Sequence, residues 1–176
     1  MSVIQTILSI RDDSLELVIQ DNSDSNKLGN NIKKAINDKR LKYNYDPSPL
    51  STIHNFNKGM DNVEGKYICY IGDDDGVCPD IMNFVKWMDE NKIDALIGKN
   101  VTSYSWPSNR REGELTIYPF SGNFKEIDIN EQIIKFLKNG AVYYLKFGLV
   151  KVYHGIIKKD CFERSKLRIG NYFGGL

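Results

Sequence analysis

Apolar positions in the first half of the chain switch repeatedly between a helical and a strand-like period. Val3, Ile4, Ile7 and Leu8 fall on one helical stripe behind Ser2, with Gln5 three positions on, the pattern of a capping box opening an amphipathic helix. Leu15 to Gln20 is a short apolar run that stops at Asp21-Asn22-Ser23-Asp24-Ser25, the polar cluster predicted where a buried strand meets a loop. Leu28, Ile32, Ala35 and Ile36 make the next helical stripe, and Leu41 to Tyr45 a strand that ends before Pro47 and Pro49. The alternation is β-α-β.

Ser48 with Pro49 predicts the next helix start, because proline at the first helical position gives up no needed donor. Ile53, Phe56, Met60 and Val63 mark the buried face of that helix. Tyr67 to Ile71 reads as the central strand. Ile81, Phe84, Val85 and Met88 give another helix, and Ala95 to Ile97 another strand, so through residue 98 the pattern is that of an open α/β sheet. From Lys99 to Phe120 the character changes. Tyr104-Ser105-Trp106-Pro107, the pair Arg110-Arg111 and the run Leu115 to Tyr118 predict a hairpin-like excursion. Asp128 with Glu131 caps a helix whose apolar face is Ile129, Ile133, Phe136 and Leu137, and Leu149 to Ile157 predicts a strand before a short charged helix. With no internal repeat or low-complexity linker, residues 1–176 are expected to form a single domain.

Composition narrows the partners. A formal net charge of +1 over 176 residues gives no general attraction to nucleic acid or anionic lipid, so no nucleic-acid partner is expected. Cys69, Cys78 and Cys161 are odd in number and lack metal-ligand spacing, which favours a reducing, cytoplasmic setting. No window approaches a transmembrane helix or a secretory leader, which leaves peripheral membrane association of a fuller protein as the remaining route to a bilayer.

The chemistry concentrates at Lys66 to Pro79, where an apolar strand runs into Asp73-Asp74-Asp75. Adjacent carboxylates at the mouth of a strand repel one another and stay ionised only when solvated or neutralised by a cation. Mg²⁺ or Mn²⁺ suits them, since such ions take one or two carboxylates and complete their shells with water and phosphate oxygens. Ligands of open α/β sheets bind at the carboxyl ends of strands. Asp21 and Asp73 to Asp75 are expected at two such ends on the same edge of one sheet, one loop for a polar organic group and one for a metal and phosphates. The plainer alternatives are a solvated turn capping the helix near Pro79, and for Asp21 to Asp24 a simple strand terminator. His154, Tyr104 and Trp106 are weighed as ligand or sugar contacts against ordinary packing, which is favoured. Asn55 and Asn57 are read as ordinary helix residues. Lys158, Lys159, Arg164, Lys166 and Arg168, broken by Asp160 and Glu163, read as a solvated helix face.

The ordered set Glu16-Leu17-Val18-Ile19-Gln20-Asp21-Asn22-Ser23, Asn55-Phe56-Asn57-Lys58-Gly59 and Gly65 to Asp75 resembles family-two glycosyltransferases of the GT-A fold, with a looser echo at Tyr153-His154-Gly155 and Gly170 to Phe173. The resemblance implies an open mixed sheet flanked by helices and an enzyme moving a sugar from a nucleotide-diphosphate donor to a hydroxyl of a glycan or glycolipid acceptor, with inversion, in polysaccharide or glycoconjugate biosynthesis. It further implies that Asp21, with Asn22 and Ser23, serves the nucleotide, that Asp73 and Asp75 hold the metal of an Asp-x-Asp motif, and that Asp74 lies on the donor side. Residues 1–98 would then be the nucleotide-sugar-binding half and 99–176 the acceptor-side half. A strand with a Pro-x-Tyr-Asn-type loop is implied ahead of the opening helix, and an acidic general base beyond Leu176, so the chain is expected to be part of an active enzyme, incomplete at both ends. Two rivals remain. Asp73-Asp74-Asp75-Gly76-Val77 also spells the haloacid-dehalogenase-like phosphatase signature, with Asp73 as nucleophile and Asp75 as acid/base, although no acidic pair follows downstream. The other rival is a non-catalytic nucleotide-binding or scaffold module of the same fold.

Overall fold

The computed structural model describes residues 3–98, 103–105, 113–116, 126–147 and 155–174, with 103–105, 114–116 and 141–147 followed as backbone. The chain forms two compact units, one of residues 1–95 with 156–176 and one of residues 96–155.

The first unit opens with α1 (Val3–Leu8), whose predicted Ser2 cap lies outside the described residues. Its C-terminal end is held by Arg40, which donates to Leu8 O at 2.8 Å and Ile10 O at 2.6 Å while pairing with Asp38. A guanidinium is well suited to the orphan carbonyls of a helix end. β1 (Leu17–Asp21), α2 (Lys27–Ala35) and β2 (Leu41–Tyr45) follow, and β1 and β2 pair in parallel from Leu17↔Leu41 to Asp21↔Tyr45.

Strand alternation gives that pair two different faces. Ile19, Asp21, Tyr43 and Tyr45 share the face toward α2, where Gly29 is required because a Cβ there would run into the Tyr43 ring and the Asn26 carboxamide. Val18, Gln20, Lys42 and Asn44 share the other, against α3 (Thr52–Met60). This second face is polar for an interior surface. Both amide atoms of Gln20, Nδ2 of its register partner Asn44 and Oδ1 of Asn55 on α3 are buried with no hydrogen-bond partner among the described residues.

α3 begins later than the sequence suggests. Ser51, not Ser48, is the cap, its Oγ accepting from His54 N at 3.3 Å. Ser48 is consumed elsewhere, donating its N–H to Asp46 Oδ1 at 2.9 Å in a turn of its own. After α3 come β3 (Tyr67–Cys69), α4 (Ile81–Glu90), β4 (Ala95–Ile97), and, returning from the second unit, β7 (Gly155–Lys158) and α6 (Lys159–Ile169). β7 lies between β3 and β4, antiparallel to β3. The predicted β7 start at Leu149 falls outside the described residues.

The core sits where α3, β3 and α6 meet. Met60 is fully buried, with Ile68, Phe162 and Tyr172 around it and Val63, Tyr70, Ile157 and Phe173 packed against them. One expectation is corrected. β1–β2 and β3–β7–β4 are separate hydrogen-bonded sheets, so the two acidic loops do not share the edge of one continuous sheet.

In the second unit, β5 (Ser103–Ser105) and β6 (Glu114–Thr116) pair antiparallel, as the hairpin-like reading of this stretch predicts. α5 (Ile129–Phe147) is capped by Asp128, whose Oδ1 accepts from Asn130 N at 2.8 Å and Glu131 N at 3.2 Å, and is interrupted at Gly140, where φ is 65°. Of its apolar stripe, Ile129, Ile133 and Leu137 are 40%, 43% and 74% exposed and Phe136 is half-buried. Periodicity tells which residues share a face, not what covers it.

Two stability measurements follow from the first unit. Met60→Ala, at the fully buried centre, is expected to cost about 2–5 kcal/mol in denaturant unfolding. Gln20→Met, which removes two unpaired buried polar atoms at nearly constant volume, is expected to raise stability by about 1 kcal/mol. A loss of stability in the second variant would mean that the amide is satisfied in solution.

Candidate active site

Asp21 is the last residue of β1 and is 8% exposed. Its Oδ2 accepts the Tyr43 hydroxyl and its Oδ1 accepts Ser23 N at 2.8 Å. Burial works to raise its pKa, but the hydrogen bonds from Tyr43 and Ser23 outweigh it and hold the carboxyl below its ordinary value. The phenol responds in the opposite direction, pushed up to about 12 by burial and by the Asp21 carboxylate. Asn22 ties the loop after β1 to the loop after β2, its Nδ2 donating to Asp46 O and Ser48 O, both at 2.6 Å. The Asp46 carboxylate in turn pairs with Lys58 of α3, and Ser23 Oγ donates to Ser25 O at 3.1 Å. Asp21, Asn22 and Ser23 thus form a pre-ordered polar rim, and a carboxylate holding two donors retains acceptor capacity for a ligand N–H.

The second acidic loop leaves β3 through Tyr70, Ile71 and Gly72. Gly72 N donates to Asp75 Oδ2 at 2.9 Å, closing a tight turn over Asp73 and Asp74. A Cβ at Gly72 would lie 2.8 Å from Asp74 Oδ1 and 3.1 Å from Asp75 Oδ2, so the missing side chain lets both carboxylates fold back over the backbone. Asp73 and Asp74 are exposed and Asp75 is half-buried. The turn does not supply the N-cap of α4, which is Asp80. Beneath the turn, burial first and the Asp75 charge second push the Cys69 thiol up to about 11, which keeps it protonated and unreactive.

α3 packs against the residues that lead into both loops. A Cβ at Gly59 would stand 3.1 Å from Tyr70 Oη and 3.4 Å from Gln20 Cβ, so the residue just before Asp21 and the residue that leads into the acidic turn reach the same helical position. Tyr70 is fixed there by its hydroxyl, which donates to Phe56 O at 3.0 Å. Tyr43 was not among the residues singled out from the sequence. Its signal was its place beside Ile19 and Asp21 on one strand face, which appears only once the register is known. His154 and Trp106 lie outside the described residues, and Tyr104 is followed as backbone only. In α6, Arg164 pairs with Asp160 and Lys159 with Glu163 at 3.8 Å, as on a solvated charged face, but Lys166 turns to Asp61 at the end of α3, 3.0 Å away, and Lys158 belongs to β7.

The donor set of the acidic turn consists of hard carboxylate oxygens, which suits Mg²⁺ or Mn²⁺ rather than a thiophilic ion. Among the described residues no group of three or more His, Cys, Asp or Glu side chains forms a cage for a metal. The fit is therefore to an ion held by one or two carboxylates and completed by phosphate oxygens, with the Gly72 cradle leaving room for the carboxylates to adjust.

The family model described as Glycosyl transferase family 2 matches residues 2–154. The chain belongs to glycosyl transferase family 2. No curated protein matches it closely enough to add a relative. Membership makes the fold GT-A, in agreement with the mixed α/β architecture and its small parallel sheet, and makes the general activity glycosyl transfer from a nucleotide-sugar donor to an acceptor. Divalent metals are common in the family. The phosphatase reading of Asp73 and Asp75 loses its support, because the motif it relied on follows β3 inside a glycosyltransferase domain.

The Tyr43–Asp21 contact gives a measurable pH signature. Asp21 has a depressed folded pKa, so its stabilisation is complete above the unfolded value, about 3.9, and is lost as pH falls through the folded value. Tyr43→Phe is expected to cost about 1.5–3 kcal/mol near neutral pH, with the cost shrinking below about pH 4, in denaturant titrations at several pH values. Tyr43 contributes below about pH 10, its ordinary value, and its contribution is lost as pH rises through about 12.

Proposed function

We propose that the first unit binds a nucleoside-diphosphate sugar with Mg²⁺ or Mn²⁺ and transfers the sugar, with inversion, to a hydroxyl of a glycan or glycolipid during polysaccharide or glycoconjugate assembly. The observation that carries this reading is the convergence at Gly59, which puts the Asp21 rim and the Asp73 to Asp75 turn at strand ends served by one helix. Asp21, with Asn22 and Ser23 holding its loop, accepts from the nucleobase N–H. Asp73 and Asp75 would hold the divalent ion, and Asp74 completes the donor side. When bound, the ion supplies charge neutralisation at the departing diphosphate. The acceptor oxygen forms its bond to the anomeric carbon as the bond to the diphosphate oxygen breaks, and the acceptor proton passes to a general base. Residues 1–98 serve as the donor half and 99–176 as the acceptor half.

A cytoplasmic setting fits this reading, as the cysteines are free thiols. No helix among the described residues is long and apolar enough to cross a membrane, and peripheral association of the full-length protein is part of the proposal.

The test is calorimetric titration of the full-length protein with UDP and with GDP, with and without Mn²⁺. Metal-dependent binding of one nucleotide is expected, weakened about tenfold or more by Asp73→Ala or Asp75→Ala. Absence of binding to either, together with unchanged activity of both variants, would overturn the reading. Binding without turnover in the full-length protein would leave a non-catalytic nucleotide-binding module instead.

A further inference from the structure

The stretch after α6 has no regular structure of its own, yet it is placed closely. Gly170, at φ 83°, ends α6 in the left-handed conformation that reverses the chain. Asn57 on α3 then receives the segment. Its single carboxamide oxygen accepts both Tyr172 N at 2.8 Å and Phe173 N at 3.1 Å, while its Nδ2 donates to Ile53 O at 2.9 Å. The carboxamide orientation is fixed by chemistry, since backbone N–H groups only donate and the Ile53 carbonyl only accepts. One helical turn further along α3, Asp61 takes Lys166, whose ammonium also meets the Tyr172 hydroxyl at 3.1 Å.

These contacts fix a ring as well as a backbone. Phe173 has its centroid 5.5 Å from Tyr70, 5.8 Å from Phe56 and 5.4 Å from Phe162. Tyr70 is the residue from which the chain runs into the Asp73 to Asp75 turn. A segment distant in sequence is thereby keyed to the end of β3 through one side chain.

We propose that Asn57 is a positioning residue for glycosyl transfer. By holding Tyr172 and Phe173, it keeps the segment after α6, the part of the acceptor half that lies in the first unit, in register with the acidic turn. The role rests on the transferase reading above. It predicts that loss of the tether lowers transfer and leaves donor binding intact, because Asn57 touches neither acidic loop.

The experiment uses the full-length protein and three substitutions. Asn57→Ser keeps a hydroxyl able to bond the Ile53 carbonyl but too short to reach Tyr172 and Phe173. Asn57→Ala serves the same purpose without the hydroxyl. Asn57→Asp retains two acceptor oxygens for the tether while giving up the donation to Ile53. Hydrogen exchange at the Tyr172 and Phe173 amides is expected to speed up about tenfold or more in the Ser and Ala variants, and less in the Asp variant. Transfer, read as kcat/KM for the acceptor, is expected to fall about tenfold, while Mn²⁺-dependent nucleotide affinity stays within about twofold of the unaltered protein. Unchanged amide exchange in the Ser and Ala variants overturns the tether. Unchanged transfer, or nucleotide affinity falling in step with transfer, overturns the positioning role while the transferase reading stands. Absence of nucleotide binding in the unaltered protein overturns the transferase reading and the positioning role with it, and the exchange data still judge the tether.

Discussion

Gly59 allows Tyr70 and Gln20 to approach one turn of α3 to within 3.1 and 3.4 Å of where a side chain would begin, and the placement of both strands against that helix depends on the approach. β1 and β3 belong to different hydrogen-bonded sheets, so no ladder aligns their ends. Helix packing does it instead. Close packing transmits small displacements, so a methyl group at position 59 would push Tyr70 away from Phe56 O, or Gln20 away from the helix, and either movement would shift one acidic loop relative to the other. The same helix buries Met60 in the core immediately after this contact. The approach and the core therefore stabilise one another.

The two acidic loops differ physically in a way that matches different tasks. Asp21 is buried and held by Tyr43 and Ser23, and Asn22 is held by two carbonyls, so this rim has little freedom left to lose when a ligand arrives. The turn at Asp73 to Asp75 is more open. Two of its carboxylates are exposed, and Gly72 leaves the space over which they can rearrange. A rigid acceptor suits the fixed hydrogen-bond pattern of a base. Adjustable carboxylates suit an ion that completes its shell with phosphate and water oxygens.

The positions of these loops after β1 and β3 were legible in the sequence, and so were most elements, because each rests on short-range patterns. The run Leu41 to Tyr45 coincides with β2, and the Asp128 cap forms as its spacing implies. What was not legible depended on partners far along the chain. Ser48 fails as a cap because Asp46 claims its N–H, and Ile129, Ile133 and Leu137 of the α5 stripe are exposed although its period is regular. Asn57 looked like any amide on a helix. Its function in the fold comes from residues 115 and 116 positions away, a separation at which no local pattern carries information.

The opposite end of the β1–β2 pair explains why the acidic chemistry is confined to one edge. There Glu16 accepts Glu64 N at 2.7 Å and Gly65 N at 2.6 Å and also pairs with Lys42, Lys42 pairs with Glu64, and Arg40 is shared among Asp38 and the carbonyls that end α1. Charges satisfied by one another gain little from a ligand, since each new contact must first break an existing one. At the carboxyl ends of β1 and β3 the chain instead leaves acceptor capacity on Asp21 and exposed carboxylates on Asp73 and Asp74. Among the described residues the charges at the amino edge are paired with one another, whereas those of Asp73 and Asp74 at the carboxyl edge face solvent.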